Sequence, residues 1–264
     1  MNWDGAMLQR VEAVLGTAAD RLRALQGARL DVARKEGRDI VTEADLAAER
    51  ILIEGLLAIT PGAAILAEES GASGPPQGPR WIIDPLDGTV NYTSGLPWYS
   101  SSIAYQEHGV TELGLVHAPA AGLIARYIRG RLATVNDRPA AVSSVSSLGD
   151  AVVSVVLASN FTPAETRSAC AIIDRLGRAA RGVRIVVSGA YEMSLVASGC
   201  LAAFVTIKAD ACSHAAAVPL VRAAGGKVTR LDGSDCSDAD VYKIASNGWI
   251  HAELLGCIRE SVPA

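Results

Sequence analysis

The chain has 264 residues, 50% of them hydrophobic and 20% charged, and a formal net charge of −4. That balance excludes a disordered chain, and the lack of a basic stripe argues against a nucleic-acid partner. No apolar run reaches the ~18–20 residues that span a bilayer, so no membrane partner is expected.

A chain of this length is one large domain or two small ones over a common core. Its five cysteines, Cys170, Cys200, Cys212, Cys236 and Cys257, are odd in number and contain no C-x-x-C pair. They suggest neither a disulfide framework nor a zinc knuckle, and a reducing cytoplasm is the simplest setting. The N-terminal segment lacks the pattern of a signal peptide.

Residues 5–26 carry Met7, Val11, Val14, Leu15, Ala18, Leu22 and Leu25 at helical spacing. A polar hinge, ARKEGRDIVT, follows. Thr42 with Asp45 three positions later reads as a capping box, opening a second helix that runs to Pro61. AAIL before Glu68 and WII before Asp84 read as strands, separated by the turn-rich GASGPPQGPR. Residues 99–128 suggest an antiparallel meander. Residues 131–147 are a Ser-, Pro- and Asn-rich crossover. Beyond it, strands (VVSVVL, RIVV, LAAFVTI, KVTRL, VYKIAS) alternate with helices (ETRSACAIIDRLG, GAYEMSLVASG, HAAAVPLVRAAGG, WIHAELLGCIRE). The expected class is α/β, with an α+β first half (1–145) and an α/β second half (146–264).

The densest chemistry is Glu68-Glu69-Ser70 followed by Trp81-Ile-Ile-Asp84-Pro85-Leu86-Asp87-Gly88-Thr89-Val-Asn91. Asp-Pro and Asp-Gly pairs are ordinary turn formers. Here they end a buried strand and stand with a Glu from a neighbouring one. The result is an all-oxygen, anionic cluster of the kind Mg²⁺ takes. Amides near Gly88 and Thr89 would face an anion at a helix start.

Asp84-Pro-Leu-Asp-Gly-Thr-Val-Asn-Tyr92 resembles the signature of the inositol monophosphatase family, Mg²⁺-dependent and Li⁺-sensitive phosphatases. Glu68-Glu-Ser70 resembles its acidic pair. Lys35, Asp39–Asp45, Ser188–Gly199, Ala215–Gly226, Ser246-Asn-Gly248 and His251 are similar to further family segments. The resemblance runs from about residue 5 to 260. It implies a layered αβαβα sandwich, with the first half carrying the metal site and the second closing the pocket. It implies that Glu68, Asp84, the Leu86 carbonyl and Asp87 hold Mg²⁺, and that two Mg²⁺ ions act. It also implies that Thr89, partnered by Asp45, orients an attacking water, with Glu68 also catalytic. The Gly88 and Thr89 amides receive the phosphate of a small sugar, polyol or cyclitol phosphomonoester. Many relatives are dimers, so a homodimer is one expectation and a monomer another.

The second half departs from that pattern. Counting back from Gly225-Gly226, the family's Trp-Asp falls on Cys212-Ser213, so a second-metal ligand becomes a neutral hydroxyl. Ser213 remains a competent helix cap. A substrate-contacting Glu falls on Thr206. Both changes remove negative charge from the same wall of the pocket, and a second metal held by fewer carboxylates is expected to bind more weakly. Three readings follow: a phosphatase, with Asp210 or substrate filling the gap; a repurposed member doing non-hydrolytic, metal-assisted chemistry, with His214 as acid–base group; or a non-catalytic binding protein. Ser188, Thr206, Asp210, Ser213 and His214 are the candidate substrate contacts. Lys35 is a candidate to neutralise a nearby carboxylate or contact phosphate, Arg184 is a candidate phosphate contact, Glu192 is expected as a helix-surface charge, and Cys212 as a buried, inert thiol. Tyr92 and Trp98 are expected to pack behind the metal loop.

Overall fold

A computed structural model describes residues 3–28, 31–35, 38–208, 211–236 and 243–259. Helix α1 (Gly5–Leu25) buries Val11, Leu15, Ala18 and Leu22, the stripe expected from its periodicity. The polar hinge contains a short hairpin, β1 (Val32–Arg34) against β2 (Ile40–Thr42). The exposed three-residue β1 has no alternating apolar pattern to announce it. Helix α2 (Glu43–Ile59) begins at the expected capping box: Thr42 Oγ1 accepts from the Ala44 amide, and Asp45 Oδ2 accepts from the Thr42 amide at 2.8 Å. Its Ala48, Leu52 and Leu56 face α1 and the first sheet.

That sheet contains β3 (Ala64–Ala67), β4 (Gly71–Ser73), β5 (Arg80–Asp87), β6 (Ser100–Glu107), β7 (Val110–Ala118), β8 (Leu123–Ile128), β9 (Thr134–Val135) and β10 (Arg138–Pro139), with the five-residue helix α3 (Thr89–Thr93) after β5. Its order is β10-β9-β8-β7-β6-β5-β3-β4. The pair β3/β5 is parallel and the others are antiparallel. The turn-rich loop contributes β4 and the crossover contributes β9 and β10, too short for a sequence signal.

The second sheet contains β11 (Val152–Val155), β12 (Gly182–Arg184), β13 (Ala203–Thr206), β14 (Lys227–Thr229) and β15 (Lys243–Ser246), in the order β12-β11-β13-β15-β14. Its helices are α4 (Pro163–Ala179), α5 (Gly189–Ala197), α6 (Ala211–Ala223) and α7 (His251–Ile258). Helices α5 and α6 contact both sheets, and α4 and α7 pack together, α4 also against β11 and β12. The layers therefore run αβαβα, as expected.

Two layers pass close at Gly114 of β7, where a Cβ would stand 2.9 Å from the Ala216 Cα of α6. Backbone cannot yield as a side-chain tip can. Gly114→Ala is expected to cost about 1–3 kcal/mol by overpacking, read as a Tm lower by roughly 2–4 °C per kcal/mol. An unchanged Tm would show that α6 moves freely on the sheet.

Among the described residues no helix is long and apolar enough to cross a membrane.

Candidate active site

The site starts where two parallel strands end together. Ala67 of β3 is in register with Ile83 of β5, and the Glu68 amide donates to the Ile83 carbonyl at 3.0 Å. That register brings Glu68 beside Asp84. Between Asp84 and Asp87 the pairing with β6 slips, because three steps of β5 oppose two of β6. Pro85 has no amide to donate, so a bulge rather than a strand end absorbs it. The strand runs on to Asp87, where a turn at Pro85 was expected.

Each carboxylate has a protein donor. Lys35 Nζ lies 3.0 Å from Glu68 Oε1 and also bonds Glu69. Burial pulls against the ammonium, but Glu68 and Glu69 outweigh it and raise its pKa. Asp84, almost wholly buried, accepts from the Leu86 amide at 3.1 Å on Oδ1 and from Ser213 Oγ at 2.6 Å on Oδ2. Asp87 Oδ2 accepts from Ser188 Oγ at 2.9 Å and from the Ala190 amide at 2.8 Å.

Asp45 divides its two oxygens. Oδ2 caps α2, taking the Thr42 amide and hydroxyl, while Oδ1 stands 2.9 Å from Thr89 Oγ1. The Leu86 carbonyl is an alternative acceptor for that hydroxyl at 3.0 Å. Burial raises the Asp45 carboxyl above its usual value, against the Thr42 and Thr89 hydrogen bonds. One turn along α2, Glu49 accepts from the Glu69 and Ser70 amides at 2.9 and 3.0 Å and fixes the turn after Glu68. Sequence reasoning missed Glu49; its i, i+4 spacing from Asp45 on one helix face was the available signal.

Gly88 sits at φ 94, and a Cβ there would meet the Trp98 carbonyl at 2.8 Å. Asn91 Nδ2 donates to the carbonyls of Trp98 and Val186 at 2.9 and 2.7 Å. It thereby ties the loop to the second half. Val186 and Val187, expected to be strand, lie beyond β12, and Val187 adopts φ 61. Tyr92 packs inward, its hydroxyl donating to the Leu22 carbonyl, as expected. Trp98 instead is 39% exposed.

The opposite wall comes from β13 and α6. The expectation that Ser213 caps α6 is corrected: the helix begins at Ala211, and the Ser213 hydroxyl donates to Asp84. Its backbone is held by Ser102 Oγ, which donates to the Ser213 carbonyl at 3.2 Å. Thr206 Oγ1 donates to the Lys208 carbonyl at 2.7 Å and accepts from its amide at 3.2 Å. His214 is buried against Phe204, and its Nδ1 has no hydrogen-bond partner among the described residues. Burial, with the charge of Lys243, lowers its pKa to about 3. At neutral pH the ring is a neutral imidazole. Asp210 lies outside the described residues. Arg184 is exposed, does not line the cavity, and bonds the Val183 carbonyl. Cys212 is buried, as expected.

A cavity of about 770 Å³ joins these groups, within the ordinary range for small ligands. Glu68, Asp84, Leu86, Asp87, Gly88, Thr89, Thr206, Ser213 and His214 line it; Asp45 and Ser188 stand behind the lining. Among the described residues, no three His, Cys, Asp or Glu side chains are arranged to ligate an ion as they stand. Lys35, Ser213 and Ser188 donate to these carboxylates. The donor set, three carboxylates and a strand-end carbonyl on one cavity wall, fits a hard cation such as Mg²⁺.

The sequence profile of the inositol monophosphatase family matches residues 6–264. The chain is 36% identical over 234 residues to the Thermotoga maritima fructose-1,6-bisphosphatase/inositol-1-monophosphatase, covering 88% of each chain. It is 32% identical over 262 residues to a probable inositol 1-monophosphatase of Mycobacterium tuberculosis, covering 96% of this chain and 95% of that one. Among solved structures, the extragenic suppressor protein SuhB of Bartonella henselae superposes with a TM-score of 0.92 at 28% identity, covering 98% of this chain and all of that one. With the signature loop closing one wall of the cavity, these matches place the chain in the inositol monophosphatase family, as a phosphatase.

Proposed function

We propose that the protein hydrolyses a small sugar, polyol or cyclitol phosphomonoester, with Mg²⁺ as cofactor and water as the nucleophile. The observation that carries this reading is the Asp45–Thr89 pair behind the acidic wall. A hydroxyl that donates to a buried carboxylate offers its lone pairs to the cavity. There it can accept a proton from a water and hold that water in line with a phosphate. Asp45, raised by burial, is the proton's onward acceptor.

Glu68, Asp84, Asp87 and the Leu86 carbonyl would hold the cation. Mg²⁺ bound there supplies charge stabilisation to the phosphoryl oxygens and acidifies a water. A second cation would find Asp84 and Asp87 but a hydroxyl at Ser213, and should bind more weakly. The Gly88 and Thr89 amides open α3 toward the anion. Thr206, Ser213 and neutral His214, with Lys208 beside Thr206, form the wall for the leaving group. The neutrality of His214 argues against it as an acid–base group, and so against non-hydrolytic chemistry routed through it.

The test is inorganic phosphate release from a panel of sugar, polyol and inositol phosphates across a Mg²⁺ titration into the millimolar range. Release that saturates in Mg²⁺ is expected. Silence across the panel would overturn the reading.

A further inference from the structure

Glu192 was expected on the surface of α5, yet it is wholly buried and does not line the cavity. A carboxylate without water must be answered by protein donors. Its Oε2 accepts from the Ser188 amide at 3.0 Å, its Oε1 from the Ser154 hydroxyl of β11, and the Val186 amide is a further donor. Two of these donors flank Val187. That residue is β-branched and sits in the left-handed region at φ 61, a conformation that persists only where its surroundings impose it.

The turn that Glu192 grips carries the contact between the two halves of the site. Ser188 Oγ and the Ala190 amide pin Oδ2 of Asp87. The Val186 and Val187 carbonyls accept from Asn91 at 2.7 and 3.3 Å. Gly88 passes so close that a Cβ would lie 3.3 Å from the Val187 carbonyl and 3.3 Å from the Ser188 Cβ. If the turn relaxes, Asp87 loses its hydroxyl donor and its fixed rotamer together.

We infer that Glu192 is a positioning residue: by clasping the turn at residues 186–188 it orients Asp87 and thereby sets the affinity of the site for Mg²⁺. The inference rests on the proposed role of Asp87 as a cation ligand. Groups that orient a ligand from behind are commonly worth about 10–100-fold in metal affinity. Burial pushes the Glu192 carboxyl up to about 7, against the hydrogen bonds from Ser154 and Ser188. A neutral side chain of the same shape can keep the bonds to Ser188 and Ser154. Glutamine can accept from the Ser188 amide and donate to Ser154, whose own proton then turns to the Arg184 carbonyl 3.5 Å away.

The experiment is Mg²⁺ binding by calorimetry on the full chain, with near-UV circular dichroism to register folding. Glu192→Ala is expected to weaken Mg²⁺ about tenfold or more. The Mg²⁺ needed for half-maximal activity should rise in step, with kcat at saturating Mg²⁺ less affected. Glu192→Gln should stay within about twofold of the parent. Should the alanine variant not fold, Glu192→Asp carries the test, because it keeps the charge but falls one methylene short of the Ser188 amide. The same tenfold loss is expected of it. Parental affinity in the folded Ala or Asp variant overturns the inference, as does equal weakening in Gln and Ala. Asp87→Asn separates the two readings. If it retains Mg²⁺ binding, Asp87 is not a ligand and the functional reading fails; if it loses binding while the folded Ala or Asp variant keeps it, only the role of Glu192 fails.

Discussion

Asp84→Asn is expected to lower kcat/KM by about 10³-fold or more, roughly 4 kcal/mol of transition-state stabilisation, while the fold survives. The survival follows from geometry. The asparagine carbonyl can still accept from the Leu86 amide, now 3.1 Å from Oδ1. Its amide can donate to Ser213 Oγ, because a hydroxyl turns from donor to acceptor by rotating. These two hydrogen bonds are kept while the charge goes. A buried carboxylate has been removed, so stability in EDTA should equal or exceed the parent's. What is lost is the negative charge proposed to hold the cation. The measurement is paired: Mg²⁺-dependent turnover, and Tm in EDTA. Full turnover in Asp84→Asn would show that the chemistry does not run at this wall. A collapse of Tm in EDTA would show that the charge itself is structural.

What the sequence made legible was local. Thr42 and Asp45 are three residues apart, and both capping bonds form. The string from Asp84 to Asn91 is contiguous, and its turn chemistry survives in outline although Pro85 sits in a bulge. Glu68 was placed beside it because two short apolar runs each ended on an acid, and the parallel register of β3 and β5 makes that a contact. What stayed hidden depends on partners far along the chain. Glu192 looked like a helix-surface charge because α5 presents no pattern that tells its buried face from its exposed one; its burial comes from lying between two sheets. Glu49 anchors a turn twenty residues away, and its spacing from Asp45 on α2 gives its face but not that partner. Ser213 was read as a cap because serine near a helix start usually is one. Its hydroxyl goes instead to an aspartate 129 positions earlier in the chain. Strands of two or three residues, such as β4, β9 and β10, are below the length at which alternation can be seen.

Ser213→Asp tests the position at which the sequence reading expects a metal-ligating aspartate to be replaced, and its sign should depend on the metal. The Ser213 hydroxyl stands 2.6 Å from Asp84 Oδ2 in a nearly buried corner, with its backbone fixed by Ser102. An aspartate there faces a like charge at close range. Two carboxylates 4 Å apart repel by about 4 kcal/mol at an effective dielectric of 20, and sharing one proton relieves part of that. In EDTA at neutral pH the variant should therefore melt several degrees below the parent, at roughly 2–4 °C per kcal/mol. The gap should narrow toward pH 5 as the pair takes up a proton. Divalent cation reverses the balance, since the same two carboxylates become ligands and the added charge tightens binding by about tenfold or more. Because the cation binds the folded state, stability then rises with the logarithm of its concentration once above the dissociation constant. The two melting curves, plotted against Mg²⁺, should cross. Phosphate release by the variant should reach half-maximum at lower Mg²⁺ than the parent. Parallel curves with no crossing, and an unchanged Mg²⁺ requirement, would mean that residue 213 faces away from any cation the site holds, and that the hydroxyl serves only to satisfy Asp84.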